Sequence, residues 1–347
     1  MWSANKKIRV MVVDDSVLAR TIITQGLGKH PRIEIVGTAF NPRDAMTKIP
    51  QYRPDVITSD IEMPGMSGLD FLKELLPKHP LPVILVSTLN LRVFDALSAG
   101  AVDFVRKPDS IQSNELFIQN LTQKVISAAG AKVRQAAPSS ITRAAPVAPL
   151  GNRPGLNNVI IALGASTGGT EATLEVLKRL PADIPGMLIV QHMPTGFTQM
   201  YAERLNRLCN MEVREAKNGD EVRRGLALLA PADYQMRIVR SGTRYTVACT
   251  QGEKVSGHRP SVDALFFSMA EQVKCKMVGI IMTGMGRDGA EGLLQMRKAG
   301  AFTIGQDKES SVVYGMPMVA QNIGAVQIQA SCENIAAVLL RQLNTLK

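Results

Sequence analysis

The sequence predicts two α/β domains joined by a linker, the first built on a parallel sheet with helices on both faces. Three observations predict it. Short apolar runs alternate with segments whose apolar residues recur at three- and four-residue spacing. A stretch with no acidic and no aromatic residue interrupts that alternation near the middle of the chain. The length, 347 residues, suits two ordinary domains better than one.

Strands are predicted at 8–13, 33–38, 56–59, 83–87 and 103–105, the short apolar runs of that alternation. Helices are predicted between them at 17–27, 42–49, 69–76 and 92–99, and a last one from Ser113 to about Ala128 closes the domain. Five such repeats imply a parallel sheet. Residues 126–158 hold eight Ala, four Pro and four basic residues (Lys132, Arg134, Arg143 and Arg153). With so little large apolar surface to offset the entropy of ordering, 126–156 reads as a linker between a first domain at 6–125 and a second at 157–347. The second domain carries strands at 159–163, 187–191, 226–230, 245–250, 278–282 and 301–304. Its helices are expected at 169–180, 198–208, 261–272, 289–299 and 332–346, with hairpin-like pieces around 236–250.

Composition narrows the function classes. Hydrophobic residues make up 45% and charged residues 20%, the usage of a globular protein and not of a disordered one. The net charge of +10 is diffuse and densest in the linker, and no compact helix-turn-helix with clustered Arg/Lys follows, so a nucleic-acid partner is not expected. Cys209, Cys249, Cys275 and Cys332 are widely spaced, which suggests neither a zinc site nor a disulfide framework. No apolar run approaches the roughly 18 residues of a membrane span, and no signal region follows Met1. A cytoplasmic monomer with no membrane insertion is expected.

Two groups of residues carry chemistry. In the first domain Asp14 and Asp15 end the first strand, Asp60 the third and Ser87-Thr88 the fourth, and Lys107-Pro108 follow the fifth. The carboxyl ends of parallel strands share one edge, so these residues converge. Packed carboxylates repel one another unless a hard cation such as Mg²⁺ neutralises them, and a lysine and a hydroxyl at the rim suit a phosphoryl group. The chemistry implied is phosphoryl transfer to a carboxylate. The strings Val12-Val13-Asp14-Asp15-Ser16, Ser59-Asp60-Ile61-Glu62-Met63-Pro64-Gly65-Met66-Ser67-Gly68 and Lys107-Pro108 resemble a response-regulator receiver domain, with its flavodoxin-like fold. That resemblance implies that Asp60 accepts the phosphoryl group and that Asp15, Asp60 and the carbonyl of Glu62 hold Mg²⁺, with Asp14 acting nearby or through water. It further implies that Lys107 and Ser87, or Thr88 in its place, bind the phosphoryl group, and that Phe104 is the switch aromatic.

In the second domain Gly164-Ala165-Ser166-Thr167-Gly168-Gly169-Thr170 lies between a strand and a helix, a turn that exposes a serine oxygen near free N–H groups. Of four histidines, His30 and His79 read as loop residues, while His192 ends the strand 187–191 and His258 lies in Gly257-His258-Arg259-Pro260. A base at a neighbouring strand end can reach the serine, which favours His192. Asp288, again after a strand, is the candidate orienter, with Asp263 competing. These blocks, with His258-Arg259-Pro260-Ser261-Val262-Asp263, resemble the chemotaxis protein-glutamate methylesterase family, and with the receiver in front the order matches over nearly the whole chain. The resemblance implies a doubly wound, Rossmann-like catalytic sheet and hydrolysis of γ-glutamyl methyl esters on chemoreceptors, with glutamine deamidation in many members. Ser166 would be nucleophile, His192 base then acid, and Asp288 its orienter, with the N–H groups of Thr167 and Met285 forming the oxyanion hole and no cofactor for the esterase. A chemotaxis histidine kinase would phosphorylate Asp60 and relieve a block that the receiver imposes on the catalytic cleft.

Overall fold

The computed structural model describes residues 6–88, 92–108, 114–133, 143–151 and 153–346. The chain divides after residue 139 into two compact units.

The first unit alternates β1 (Ile8–Val13), α1 (Val17–Gly28), β2 (Ile33–Ala39), α2 (Pro42–Tyr52), β3 (Val56–Asp60), α3 (Gly68–Lys78), β4 (Val83–Ser87), α4 (Arg92–Ser98), β5 (Asp103–Arg106) and α5 (Asn114–Ala128). The strands form one parallel sheet in the order β2-β1-β3-β4-β5. Every residue of β3 and β4 is buried, and β4 accordingly reads as a run of four apolar residues, whereas β3 buries Thr58, Ser59 and Asp60 as well as Val56 and Ile57. Side-chain oxygens of Ser16, Asn41 and Ser67 accept from backbone N–H groups of the first turns of α1, α2 and α3 and set where those helices start. Ser113, the expected start of the last helix, lies outside the described residues.

The second unit contains β6 (Val159–Ala165), α6 (Gly169–Leu177), β7 (Gly186–Gln191), α7 (Phe197–Leu208), β8 (Glu212–Glu215), β9 (Leu226–Leu229), β10 (Gln235–Ser241), β11 (Arg244–Thr250) and α8 (Val262–Gln272). It continues with β12 (Lys276–Ile281), α9 (Ala290–Lys298), β13 (Phe302–Gln306), α10 (Met316–Asn322), β14 (Ile328–Ala330) and α11 (Cys332–Thr345). Seven strands make a parallel sheet in the order β14-β13-β12-β6-β7-β9-β8, and β10 and β11 form a separate antiparallel hairpin. Met236, Ile238 and Val247 of the hairpin share one core with Leu265, Phe266 and Met269 of α8.

In each sheet the chain winds outward from one strand and then returns to that strand's other side. The reversal lies between β1 and β3 in the first unit and between β6 and β12 in the second. Helices leave opposite faces there, so a crevice opens at the carboxyl ends of those strands.

Three features depart from the expectations above. Helix α6 stops at Leu177 and not at 180: the chain leaves it through tighter turns in which Arg179 N–H donates to Val176 O (3.2 Å) and Leu180 N–H to Leu177 O (3.1 Å). Strands β8 and β14 and helix α10 lack the anticipated patterns: β8 is polar with Val213 alone buried, β14 spans 3 residues, and α10 opens on Met316-Pro317. The described parts of the linker read at 126–156 are bound to the two units. Its first residues finish α5, with Ala128 fully buried, and residues 134–142 lie outside the described residues. Beyond them the backbone is tied to the second unit: Ala144 N–H donates to Leu208 O (2.9 Å), and Leu150 and Gly151 N–H donate to the Asp183 carboxylate (2.9 and 3.0 Å). Arg153 donates to Leu343 O (2.8 Å), and Leu156 is fully buried. Backbone hydrogen bonds to a neighbouring surface order this stretch without the large side chains whose scarcity suggested a solvated tether.

Candidate active site

The crevice of the first unit holds the acidic group. Asp14 directly follows β1 and Asp60 ends β3, the strands on either side of the reversal, and Lys107 follows β5. Lys107 N–H donates to Ser87 O (2.7 Å), which fixes the turn after β5 against the end of β4 and brings the ammonium inward. Its Nζ lies 2.6 Å from Asp60 Oδ2 and 2.9 Å from Asp14 Oδ2. Asp60 Oδ1 accepts from Ile61 N–H (2.7 Å) and Glu62 N–H (3.3 Å). Asp14 Oδ1 accepts from Ser16 N–H (2.9 Å).

Carboxylate oxygens of Asp14, Asp15 and Asp60 all lie within 4.8 Å of one another, an all-oxygen donor set that fits a hard divalent cation. Glu62, exposed, follows in the next turn, where its carbonyl is within the same loop. Burial pushes the Asp60 carboxyl above its ordinary range; the Lys107 hydrogen bond opposes this and the charge of Asp14 adds to it. For Lys107 burial works against the charged form, but its hydrogen bonds to Asp60 and Asp14 outweigh burial and raise its pKa. Ser87 is buried at the strand end and, among the described residues, its Oγ has no hydrogen-bond partner, whereas Thr88 is exposed. Phe104 is buried against the edge of Phe94, with ring centroids 6.5 Å apart.

The crevice of the second unit brings three neighbouring strand ends together. Ala165 pairs with Gln191 across β6 and β7, so the residues that follow, Ser166 and His192, leave the sheet side by side. His192 N–H donates to Ala165 O (3.1 Å), and the Gln191 amide donates to Ser166 O (2.8 Å) and His192 O (3.2 Å), strapping the two together. On the other flank Ser166 N–H donates to Thr283 O (3.0 Å), beyond β12. The turn after Ser166 needs its glycines. Gly168 has φ +75°, and a Cβ on Gly169 would fall 2.3 Å from the Gln191 amide oxygen. The buried Thr167 lies within this turn, ahead of α6. Met285 follows Gly284, where a Cβ would fall 2.7 Å from Ser166 Cβ, so its backbone runs beside the serine.

Asp288 receives its hydrogen bonds from two directions. His192 Nε2–H donates to Oδ2 (2.8 Å), and Val262 N–H donates to the same oxygen (2.8 Å). Oδ1 accepts from the Ser261 hydroxyl (2.7 Å) and Asp263 N–H (3.0 Å). Ser261 caps α8, so the carboxylate sits at a helix N-terminus, where free N–H groups and the dipole favour an anion. Burial pushes the Asp288 carboxyl up, but the bonds from His192, Asp263 and Ser261 outweigh burial and hold its pKa below the ordinary carboxylate range. Asp263, the competing orienter, points elsewhere: it accepts from Ser256 Oγ (2.7 Å) and Gly292 N–H (2.8 Å), and burial raises its pKa. The other His192 nitrogen, Nδ1, is buried with no hydrogen-bond partner among the described residues. His258, the competing base, lies flat on the His192 ring.

Structure thus brings Ser166, His192 and Asp288 onto one crevice and Asp14, Asp15, Asp60, Ser87 and Lys107 onto the other. Sequence reasoning missed Gln191 and Ser261. Ser261 was legible as a helix cap, and the anion-binding character of the helix start behind it was the signal that could have linked it to Asp288.

Comparison with known proteins follows the same division. A family model described as CheB methylesterase matches residues 161–339, and one described as response regulator receiver domain matches residues 10–121. A protein-glutamate methylesterase/protein-glutamine glutaminase 2 from Syntrophomonas wolfei subsp. wolfei is 48% identical over 343 residues, covering 98% of this chain and 99% of that protein. A protein-glutamate methylesterase/protein-glutamine glutaminase from Syntrophotalea carbinolica is 46% identical over 339 residues, 95% of this chain and 96% of that one. The crystal structure of the Thermotoga maritima CheB methylesterase catalytic domain is similar with a TM-score of 0.52 at 33% identity, over 53% of this chain and 97% of that domain. Because the similarity to full-length relatives runs unbroken through both units, the chain belongs to the CheB methylesterase family.

Proposed function

We propose that this chain hydrolyses γ-glutamyl methyl esters of chemoreceptors, releasing methanol, that it deamidates receptor glutamines at the same site, and that phosphorylation of Asp60 stimulates it. The observation that carries the reading is the His192 ring. Its Nε2 donates to a carboxylate held as an anion, which leaves Nδ1, buried and unpartnered among the described residues, on a strand end beside Ser166.

With Asp288 fixing the Nε2–H tautomer, Nδ1 carries the lone pair and takes the Ser166 Oγ proton as Oγ attacks the ester carbonyl. The oxyanion forms beside the start of α6, where Thr167 and Met285 N–H are the candidate donors. Nδ1–H then protonates the departing methoxide, and methanol leaves an acyl-Ser166. Water, deprotonated by His192, cleaves that ester to glutamate and restores Ser166. With glutamine as substrate the leaving group is ammonia and the other steps are the same.

In the receiver, an Asp60 oxygen forms the new P–O bond as the P–N bond of a kinase phosphohistidine breaks. Asp15, Asp60 and the Glu62 carbonyl would hold Mg²⁺, with Asp14 through water, and the ion supplies charge neutralisation for the incoming phosphoryl oxygens. Lys107, paired with Asp60 and Asp14 before transfer, and Ser87 Oγ, buried and unpartnered among the described residues, are suited to engage the phosphoryl group. The partners on this reading are a chemotaxis histidine kinase and methyl-accepting chemoreceptors, met in the cytoplasm by a monomer that binds no nucleic acid. Among the described residues no helix is long and apolar enough to cross a membrane.

The test is methanol release from methylated receptor by wild type, Ser166→Ala and Asp60→Asn, each with and without a small phosphodonor. Ser166→Ala is expected to lower turnover at least about 10⁴-fold. Full activity in that variant rules out the nucleophile, and stimulation that survives Asp60→Asn rules out the coupling.

A further inference from the structure

The chemistry above uses the segment Gly257-His258-Arg259-Pro260-Ser261 only at Ser261. The general base, meanwhile, is anchored at one ring atom, because the Nε2 bond to Asp288 is its only side-chain hydrogen bond in the described structure. One such bond leaves an imidazole free to tilt about the axis through it, and tilting swings Nδ1 away from the serine.

The His258 ring removes that freedom. It lies on the face of His192 with centroids 3.9 Å apart and planes 12° from parallel. Its own placement is fixed by backbone: His258 N–H donates to Val255 O (2.9 Å) and its carbonyl accepts from Val255 N–H (3.1 Å). The fully buried Gln235 ties the segment further, its Nε2 donating to His258 O (2.9 Å) while its Oε1 accepts from Ser261 N–H (2.9 Å). Arg259, next in line, is anchored to the Asp233 carboxylate (2.9 Å) and Gly252 O (2.6 Å). One buried amide therefore holds both the ring that lies on the base and the hydroxyl that holds the base's carboxylate.

We propose that His258 is a positioning residue for the esterase, its flat face holding His192 in the plane that aims Nδ1 at Ser166. This rests on the reading of Ser166 as nucleophile and His192 as base. What the reaction needs from position 258 is then a flat aromatic face.

The experiment measures kcat, KM and the pH–rate profile for methanol release from methylated receptor, using the full chain with His258→Ala, His258→Asn and His258→Phe, beside Ser166→Ala. Loss of the face is expected to lower kcat about tenfold in the Ala and Asn variants, with KM within about twofold of wild type. His258→Phe is expected to recover kcat to within about threefold and to keep the wild-type pH profile. His258→Phe as slow as His258→Asn overturns the proposal, since the nitrogens then matter, and so does wild-type kcat in His258→Asn. The Phe and Asn pair decides the matter even if His258→Ala does not fold. Activity retained in Ser166→Ala removes the nucleophile reading and this inference with it, whereas an inactive Ser166→Ala beside a failed Phe rescue removes this inference alone.

Discussion

Asp60 and Asp288 are both buried, both lie beyond or at the carboxyl end of a strand flanking the reversal of a doubly wound sheet, and both bond to a basic side chain. Their ionisation nevertheless moves in opposite directions, Asp60 upward and Asp288 downward. The difference lies in the donors. Asp288 accepts from His192, Ser261 and two N–H groups at the start of α8, so both oxygens are fully engaged. Asp60 accepts a close bond from Ile61 and a longer one from Glu62, shares Lys107 with Asp14, and stands beside the Asp14 charge. Burial alone does not set the charge state of a carboxylate; the donors supplied by neighbouring elements do.

The largest effect that would break this comparison is on turnover. Asp288→Asn is expected to cut methanol release on the order of 10³- to 10⁴-fold, because a neutral amide cannot hold His192 in the required tautomer. Turnover within tenfold of wild type would mean that the bond to His192 is structural only. Next comes regulation: Asp60→Asn is expected to abolish stimulation by phosphodonor, read as the ratio of initial rates with and without it.

A smaller effect, on stability, sharpens the contrast. Asp60→Asn removes a carboxylate whose charge the fold disfavours and is expected to raise the receiver's unfolding midpoint by a few degrees. Asp288→Asn turns an amide toward N–H groups that need an acceptor, costing about 2 kcal/mol and lowering the catalytic unit's midpoint by several degrees. Calorimetry of the full chain reads both transitions, and shifts in the same direction would contradict the account of the donors.

The smallest effect is the dependence on pH. Asp288, with its lowered folded pKa, contributes stability that is present above the ordinary carboxylate value of about 3.9 and is lost as pH falls through its folded pKa. Asp60, with its raised folded pKa, binds a proton more tightly in the fold. Its contribution therefore weakens stability as pH rises from about 3.9 through the raised value, and mild acid relieves that cost. Acidification just above pH 4 is expected to raise the receiver midpoint in wild type more than in Asp60→Asn, and equal responses would remove Asp60 as the cause.

Much of this architecture was legible beforehand because the informative strands are largely buried and rich in apolar residues. Strands 8–13 and 83–87 fall where the residues indicated, and Asp60, Ser166 and His192 lie at strand ends that the pattern alone located. Edge elements were not legible, since β8 and β14 bury only one residue each and so leave little apolar pattern. The order of residues 143–151 and 153–156 was hidden for a related reason: partners as distant as Leu208 and Leu343 supply their hydrogen bonds.

By itself, then, the sequence determined which chemical groups are present and that each lies at a strand end, because periodicity is a local property of the chain. Only the tertiary structure decided that Asp288 and not Asp263 holds His192, that Nε2 and not Nδ1 is the nitrogen so held, and that His258 lies on the ring of the base. It alone also decided that two buried aspartates ionise in opposite directions. These outcomes depend on donors and ring faces brought from elements 25 to 96 residues away, whose direction in space no local pattern encodes.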